Sequence, residues 1–165
     1  MKRLTLVRHA QAESALAGQQ DFDRALTRRG AEDAAEMARR LKFRQLGVDC
    51  IITSTAPRAI ETAAIFARAL KIANASVAKD DRLYTAGPNE YLTTLRECSD
   101  ESTHTMIVAH NPGITDFADR LSSERSIDAM PTCSVVTMRF DVDRWADVEW
   151  KTAVDVELDY PGRST

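Results

Sequence analysis

Leu4-Thr5-Leu6-Val7, followed at once by Arg8-His9, is the stretch on which the reading of this chain turns. A run this short and this rich in Leu and Val reads as a buried strand, so Arg8 and His9 stand where the strand leaves the core. Arginine clamps phosphate oxygens with a planar fork of donors, and a neighbouring histidine can attack phosphorus as a nucleophile. The plain alternative is a basic pair that merely meets solvent at a strand end. What decides between them is whether other strands deliver matching groups to the same edge.

Working outward, a polar loop through Asp23 leads to Thr27, which is placed to cap a helix running to about Leu46. Ala31, Ala34, Ala35, Ala38 and Leu41 recur at helical spacing on one face, and their small size suits close packing on a sheet. Gly47 ends that helix, and residues 48–53 follow as a second strand. Ser54-Thr55-Ala56-Pro57 opens a second helix, with proline tolerated in the first turn because the donor it lacks has no partner there. A short strand near 76–78, a loop over 84–88 and a helix over about 89–98 come next. Residues 105–109 form the clearest later strand, and His110-Asn111-Pro112-Gly113 turns it into a helix reaching about Leu121, with Asn111 as N-cap. Residues 134–140 and 145–154 then alternate around the turn 141–144 and predict a closing antiparallel hairpin.

Strands separated by helices of this length predict an α/β three-layer sandwich: a mostly parallel sheet, helices on both faces, right-handed crossovers and a C-terminal antiparallel hairpin. At 165 residues and 44% hydrophobic content, the chain suits a single domain over 1–165. Its 25 acidic and 22 basic residues are spread evenly, giving a net charge of -3, which argues against nucleic acid or an anionic membrane as partner. No apolar stretch approaches the roughly 20 residues that span a bilayer, and the N-terminus enters a strand instead of a signal peptide. A soluble, cytoplasmic protein is expected. Cys50, Cys98 and Cys133 are odd in number and lack CxxC spacing, which suits core thiols better than disulfides or metal ligands.

In such sheets, sites form beyond the carboxyl ends of the strands. The first strand brings Arg8 and His9 there, the second brings Ser54 and, one helical turn on, Arg58, and the later strand brings His110. Arg58 alone reads equally as a solvated helix residue, and His110 alone as a turn residue. Together they aim two guanidiniums and two imidazoles at one edge.

The stretches LTLVRHAQAE (4–13), STAPRAIETA (54–63) and IVAHNPG (107–113) resemble, in order and spacing, the three core motifs of the histidine phosphatase superfamily, the phosphoglycerate mutase-like group. DFDRALTRRG (21–30), DRLYTAG (81–87) and MPTCSVV (130–136) resemble the small bacterial phosphohistidine phosphatases within it, of the SixA type. The resemblance implies a phosphoglycerate mutase-like fold and a phosphatase that needs no cofactor. It implies His9 as the nucleophile that accepts the phosphoryl group, with Arg8 and Arg58 binding its oxygens and His110 stabilising transition-state charge. Phosphoryl transfer asks mainly for in-line positioning and donors around the equatorial oxygens, which these residue types supply. His9 must be neutral to attack, and the two guanidiniums disfavour its protonated form.

Two positions depart from the superfamily pattern. Ala10 stands where many members have glycine, although small bacterial members often carry alanine. Members that cleave phosphate esters have an acid that protonates the leaving oxygen, and residues 80–90 offer no clear match. Asp81 precedes the loop, and Glu90 reads either as that acid or as a first-turn helix carboxylate. A phosphoramidate departs as neutral imidazole with much less help than an alkoxide, so the gap favours phosphohistidine on a partner protein as substrate.

A metal site is not expected. His104 and His110 share a strand, and six residues at roughly 3.3 Å separate them by about 20 Å, so they cannot share an ion. His104 is expected at the surface. Ser54 reads as a phosphate ligand or, preferably, as a brace for the helix that carries Arg58. The other functional readings are a broad phosphomonoesterase of small phosphorylated substrates, a mutase, or a non-catalytic phosphate-binding module, the last disfavoured by the intact nucleophile.

Overall fold

The computed structural model describes residues 1–164. Six strands make one sheet: β1 (Lys2–Arg8), β2 (Cys50–Thr53), β3 (Val77–Lys79), β4 (His104–Ala109), β5 (Val135–Phe140) and β6 (Val154–Asp159), ordered β3-β2-β4-β1-β5-β6. The pairs among β1 to β4 are parallel, and β5 and β6 add antiparallel pairs at one side. The helices are α1 (Arg28–Phe43), α2 (Pro57–Leu70), α3 (Pro88–Arg96) and α4 (Gly113–Leu121). This is the α/β sandwich expected from the alternation of elements.

Strand side chains point to alternate faces, and β1 shows the consequence. Leu4 and Leu6 pack with Tyr91 and Leu95 of α3 and Ile114, Phe117 and Leu121 of α4, whereas Val7 packs with Ala34, Met37 and Ala38 of α1 and Ala59, Ala63 and Phe66 of α2. All six residues of β4 are buried, as suits a strand covered on both sides. Truncating Phe66 or Phe117 to Ala would cost about 3–5 kcal/mol, a large share of a typical ~5–15 kcal/mol total. Thr27 caps α1 as expected, its Oγ1 accepting from Gly30 N at 2.8 Å. Among the described residues, no helix is long and apolar enough to cross a membrane.

The ladder register positions the site. Arg8 pairs with Ala109, and one residue further His9 N donates to Ala109 O at 3.0 Å while Ser54 N donates to Val108 O at 3.0 Å. His9, Ser54 and His110 therefore leave three adjacent strands at one level of the sheet edge. Two close backbone approaches hold the surrounding loops. A Cβ at Gly30 would collide with the Gln11 carbonyl, and one at Gly113 with the Ala86 carbonyl, so each position needs glycine.

Four expectations need correction. The second hairpin strand is residues 154–159, not 145–154. Trp145 is fully buried in a 3-10 turn, its backbone N–H donating to Asp100 Oδ1 and its indole N–H to Ser102 O, so the apolar residues of 145–153 are anchors of a loop that mimic alternation. Asn111 does not cap α4. Its Oδ1 accepts from Thr115 Oγ1 at 2.6 Å, its Nδ2 donates to Met130 O at 3.2 Å, and Pro112 holds the cap position. His104 is buried, not at the surface, because Thr5 Oγ1 (2.7 Å) and Leu46 O (3.2 Å) satisfy its ring nitrogens. Of the thiols, Cys133 is buried, while Cys50 and Cys98 are only half-buried.

Candidate active site

His9 is 7% exposed, and its Nδ1 lies 2.8 Å from Ala10 O. A carbonyl only accepts, so Nδ1 carries the ring proton and Nε2 keeps its lone pair. Toward that lone pair Arg58 Nε donates at 3.4 Å. Burial above all, then the positive charges of Arg58, Arg8 and Arg24, push the His9 pKa down to about 4, against the Ala10 bond, which favours the charged ring. The neutrality expected from two guanidiniums is thus owed first to burial.

His110 lies beside it, the ring centroids 5.1 Å apart. Its Nε2 is 2.7 Å from Ser54 Oγ, and its buried Nδ1 has no protein partner. Ser54 is fully buried, and its Oγ also accepts from Ala56 N at 3.2 Å. With a lone pair so occupied, the hydroxyl can donate to Nε2, which leaves Nδ1–H as a donor for an anion. Burial, followed by the charges of His9 and Arg58, pushes the His110 pKa to about 3, so it is a neutral donor near pH 7. Ser54 thus braces both the turn into α2 and the second imidazole.

Arg58 is 4% exposed in the first turn of α2, where Pro57 starts the helix. Its Nη1 donates to Asp21 O at 2.8 Å and its Nη2 to Asp21 Oδ2 at 3.1 Å. Arg8 Nη1 donates to Met130 O at 2.9 Å, while its buried Nε is unpartnered. Two buried donors, Arg8 Nε and His110 Nδ1, are thus without protein partners. Buried donors are rarely left unpaired, and an oxyanion would satisfy them.

Opening beside this cluster is a cavity of about 420 Å³, lined among others by Asp21, Arg58, Tyr84, His110 and Asp116. A larger groove of about 690 Å³ runs along the C-terminal end of α1, beside Arg39, Arg40 and exposed Phe43, and reaches Asp159 of the edge strand β6. It lacks convergent buried polar groups, so the smaller cavity is the better candidate.

Sequence reasoning missed Asp21 and Tyr84. The Tyr84 ring packs edge-on to His110, centroids 5.4 Å apart, and its hydroxyl donates to Asp21 Oδ2 at 2.9 Å. Hydrogen bonds from Arg24 and Tyr84, then the charge of Arg58, pull the Asp21 pKa down to about 2. Both residues lie in stretches whose motif resemblance is visible, but nothing in local periodicity marks an exposed loop residue as part of a site. Glu90 is not brought to the cluster, since its Oε2 accepts from Gly87 N at 3.0 Å in a helix cap. His104 sits at the opposite end of β4. Among the described residues, no group of three or more His, Cys, Asp or Glu side chains is placed to hold a metal ion.

The family model of the histidine phosphatase superfamily (branch 1) matches residues 4–101. An uncharacterized protein of Mycobacterium tuberculosis is 30% identical over 138 residues, which cover 78% of this chain and 84% of that one. A solved structure of a candidate phosphohistidine phosphatase SixA from Agrobacterium tumefaciens is 26% identical, covers 94% of this chain and 97% of its own, and superposes with a TM-score of 0.79. The protein histidine phosphatase SixA complexed with tungstate has the same TM-score at 18% identity, covering 93% and 95%, a likeness of fold.

Proposed function

The chain belongs to the histidine phosphatase superfamily, branch 1, and on that footing we propose that it is a metal-independent phosphatase of phosphohistidine on a partner protein, working in the cytoplasm. In the proposed cycle the Nε2 lone pair of His9 forms a bond to phosphorus as the bond to the leaving group breaks. Arg8, Arg58 and the Nδ1–H of His110 hold the oxygens where charge is concentrated. Ala10 O keeps the Nδ1 proton in place through the transfer. Water then attacks the phosphorylated His9, phosphate departs, and the Nε2 lone pair is restored.

The observation that carries the substrate is the state of Asp21. The carboxylate that touches Arg58 is held ionised by three donors, so it has no proton for an alkoxide near neutral pH, and Glu90 is engaged in its cap. With neither Asp21 nor Glu90 free to give a proton, the site suits P–N cleavage better than ester cleavage. The SixA structures of the same fold carry the same substrate in their names, and one of them is a complex with tungstate, an oxyanion. The rival reading, a broad phosphomonoesterase, draws on Asp116, an exposed carboxylate in the cavity wall. Turnover of a phosphohistidine protein, phosphoserine and sugar phosphates, measured in excess chelator, separates the two. Phosphohistidine should be cleaved fastest; faster cleavage of small esters, or loss of activity in chelator, would overturn the proposal.

A further inference from the structure

We propose that Asp21 selects a phosphorylated imidazole, its carboxylate pairing with the protonated far nitrogen of the leaving ring. This rests on the phosphohistidine reading above and adds to it a residue that senses the leaving group. Asp21 lies in the 3-10 turn Asp21–Asp23 between β1 and α1, its side chain 57% exposed in the cavity wall. Oδ2 accepts from Arg58 Nη2 (3.1 Å) and Tyr84 OH (2.9 Å), and Oδ1 from Arg24 Nη1 (2.8 Å). A carboxylate offers about four lone-pair sites, so three donors fix it and one site, on Oδ1, stays free.

The placement fits. Between His9 Nε2 and Asp21 Oδ2 stand two hydrogen bonds, of 3.4 and 3.1 Å, and the breadth of the Arg58 guanidinium. Asp21 and His110 also line the same cavity, so a ring held there borders the carboxylate.

The electron count gives Asp21 its role. As His9 Nε2 bonds to phosphorus, the substrate P–N bond breaks and its electron pair stays on the leaving nitrogen. If the far ring nitrogen carries a proton, the ring departs as neutral imidazole; if not, it must depart as an anion. An ionised carboxylate stabilises the protonated ring through a charge-assisted hydrogen bond. It donates no proton itself. An ester offers no cationic nitrogen, so the same carboxylate gives it no assistance. Asp21 is then a leaving-group residue for P–N bonds and idle for P–O bonds.

Asp21→Asn keeps the shape and removes the charge. The test compares kcat/KM for phosphoimidazole and 4-nitrophenyl phosphate in both proteins from pH 5.5 to 8.5. The ratio of the two should fall about ten-fold or more in the variant, as loss of one charge-assisted hydrogen bond predicts. Its phosphoimidazole optimum should also move to lower pH, where solvent protonates the ring. If both substrates slow in the same proportion and the optimum stays put, Asp21 merely holds Arg58 and the inference is overturned. If the native protein shows no preference for phosphoimidazole, the phosphohistidine reading itself fails, before any variant is compared.

Discussion

Protonating His9 removes the lone pair on which the proposed chemistry depends, and its surroundings set the pH at which this happens. Burial and three nearby arginines hold the ring at about 4, against an ordinary 6.5. That shift corresponds to on the order of 3 kcal/mol in favour of the neutral ring. At pH 5.5 an unperturbed imidazole is about 90% protonated, whereas one titrating at about 4 is only ~3% protonated. Activity limited by neutral His9 should therefore keep more than ~90% of its plateau at pH 5.5. His110, 5.1 Å away and held at about 3, is coupled to it, and the mutual repulsion of the two charged rings separates their protonation into two steps, the first of which forms the acid limb. The assay is kcat/KM from pH 4 to 8, corrected for substrate ionisation, beside an NMR titration of the His9 ring. A single-proton limb centred near 6.5 in both measurements would refute the reasoning.

Ser54→Ala removes the partner that fixes His110, so kcat should fall about 10- to 100-fold with KM little changed, because the interaction matters most as charge develops; an unchanged kcat would assign Ser54 to the turn alone. Folding stability should decline in mild acid. His9, His104 and His110 are held at about 4, 4 and 3, below the unfolded value, so their contribution is fully present above pH 6.5 and is lost as pH falls toward 4. Urea denaturation at pH 7 and pH 5 should differ by several kcal/mol, roughly 1–2 per histidine, and equal midpoints at the two pH values would contradict it. Glu90→Gln should lower thermal stability slightly through its cap while leaving turnover within about three-fold; a much larger loss of turnover would restore it as a catalytic acid.

The parallel part of the fold is legible because its residues carry period and punctuation together. Thr27 and Pro57 mark helix starts by local physics, and apolar strands need no knowledge of their neighbours to be seen, whereas α1 stops at Phe43, short of the Gly47 expected to end it. Arg8, His9, Arg58 and His110 could be placed on one edge because strand ends are their own coordinates. Trp145 misled for the opposite reason: its burial depends on Asp100 and Ser102, some 43 residues and more away in sequence. His104 looked exposed for want of the Leu46 carbonyl that satisfies it. Asp21 and Tyr84 meet across 63 residues, and no local pattern announces such a contact.

The central claim is a covalent one, that His9 Nε2 carries the phosphoryl group during turnover. Rapid quenching of the protein with a ³²P-labelled phosphohistidine substrate, followed by peptide mapping and phosphorus NMR, tests it directly. The label should be acid-labile, map to His9, sit on Nε2 instead of Nδ1, and vanish in His9→Ala together with hydrolysis. Turnover with no trapped label under conditions that slow water attack, or a label that persists in His9→Ala, would contradict the account.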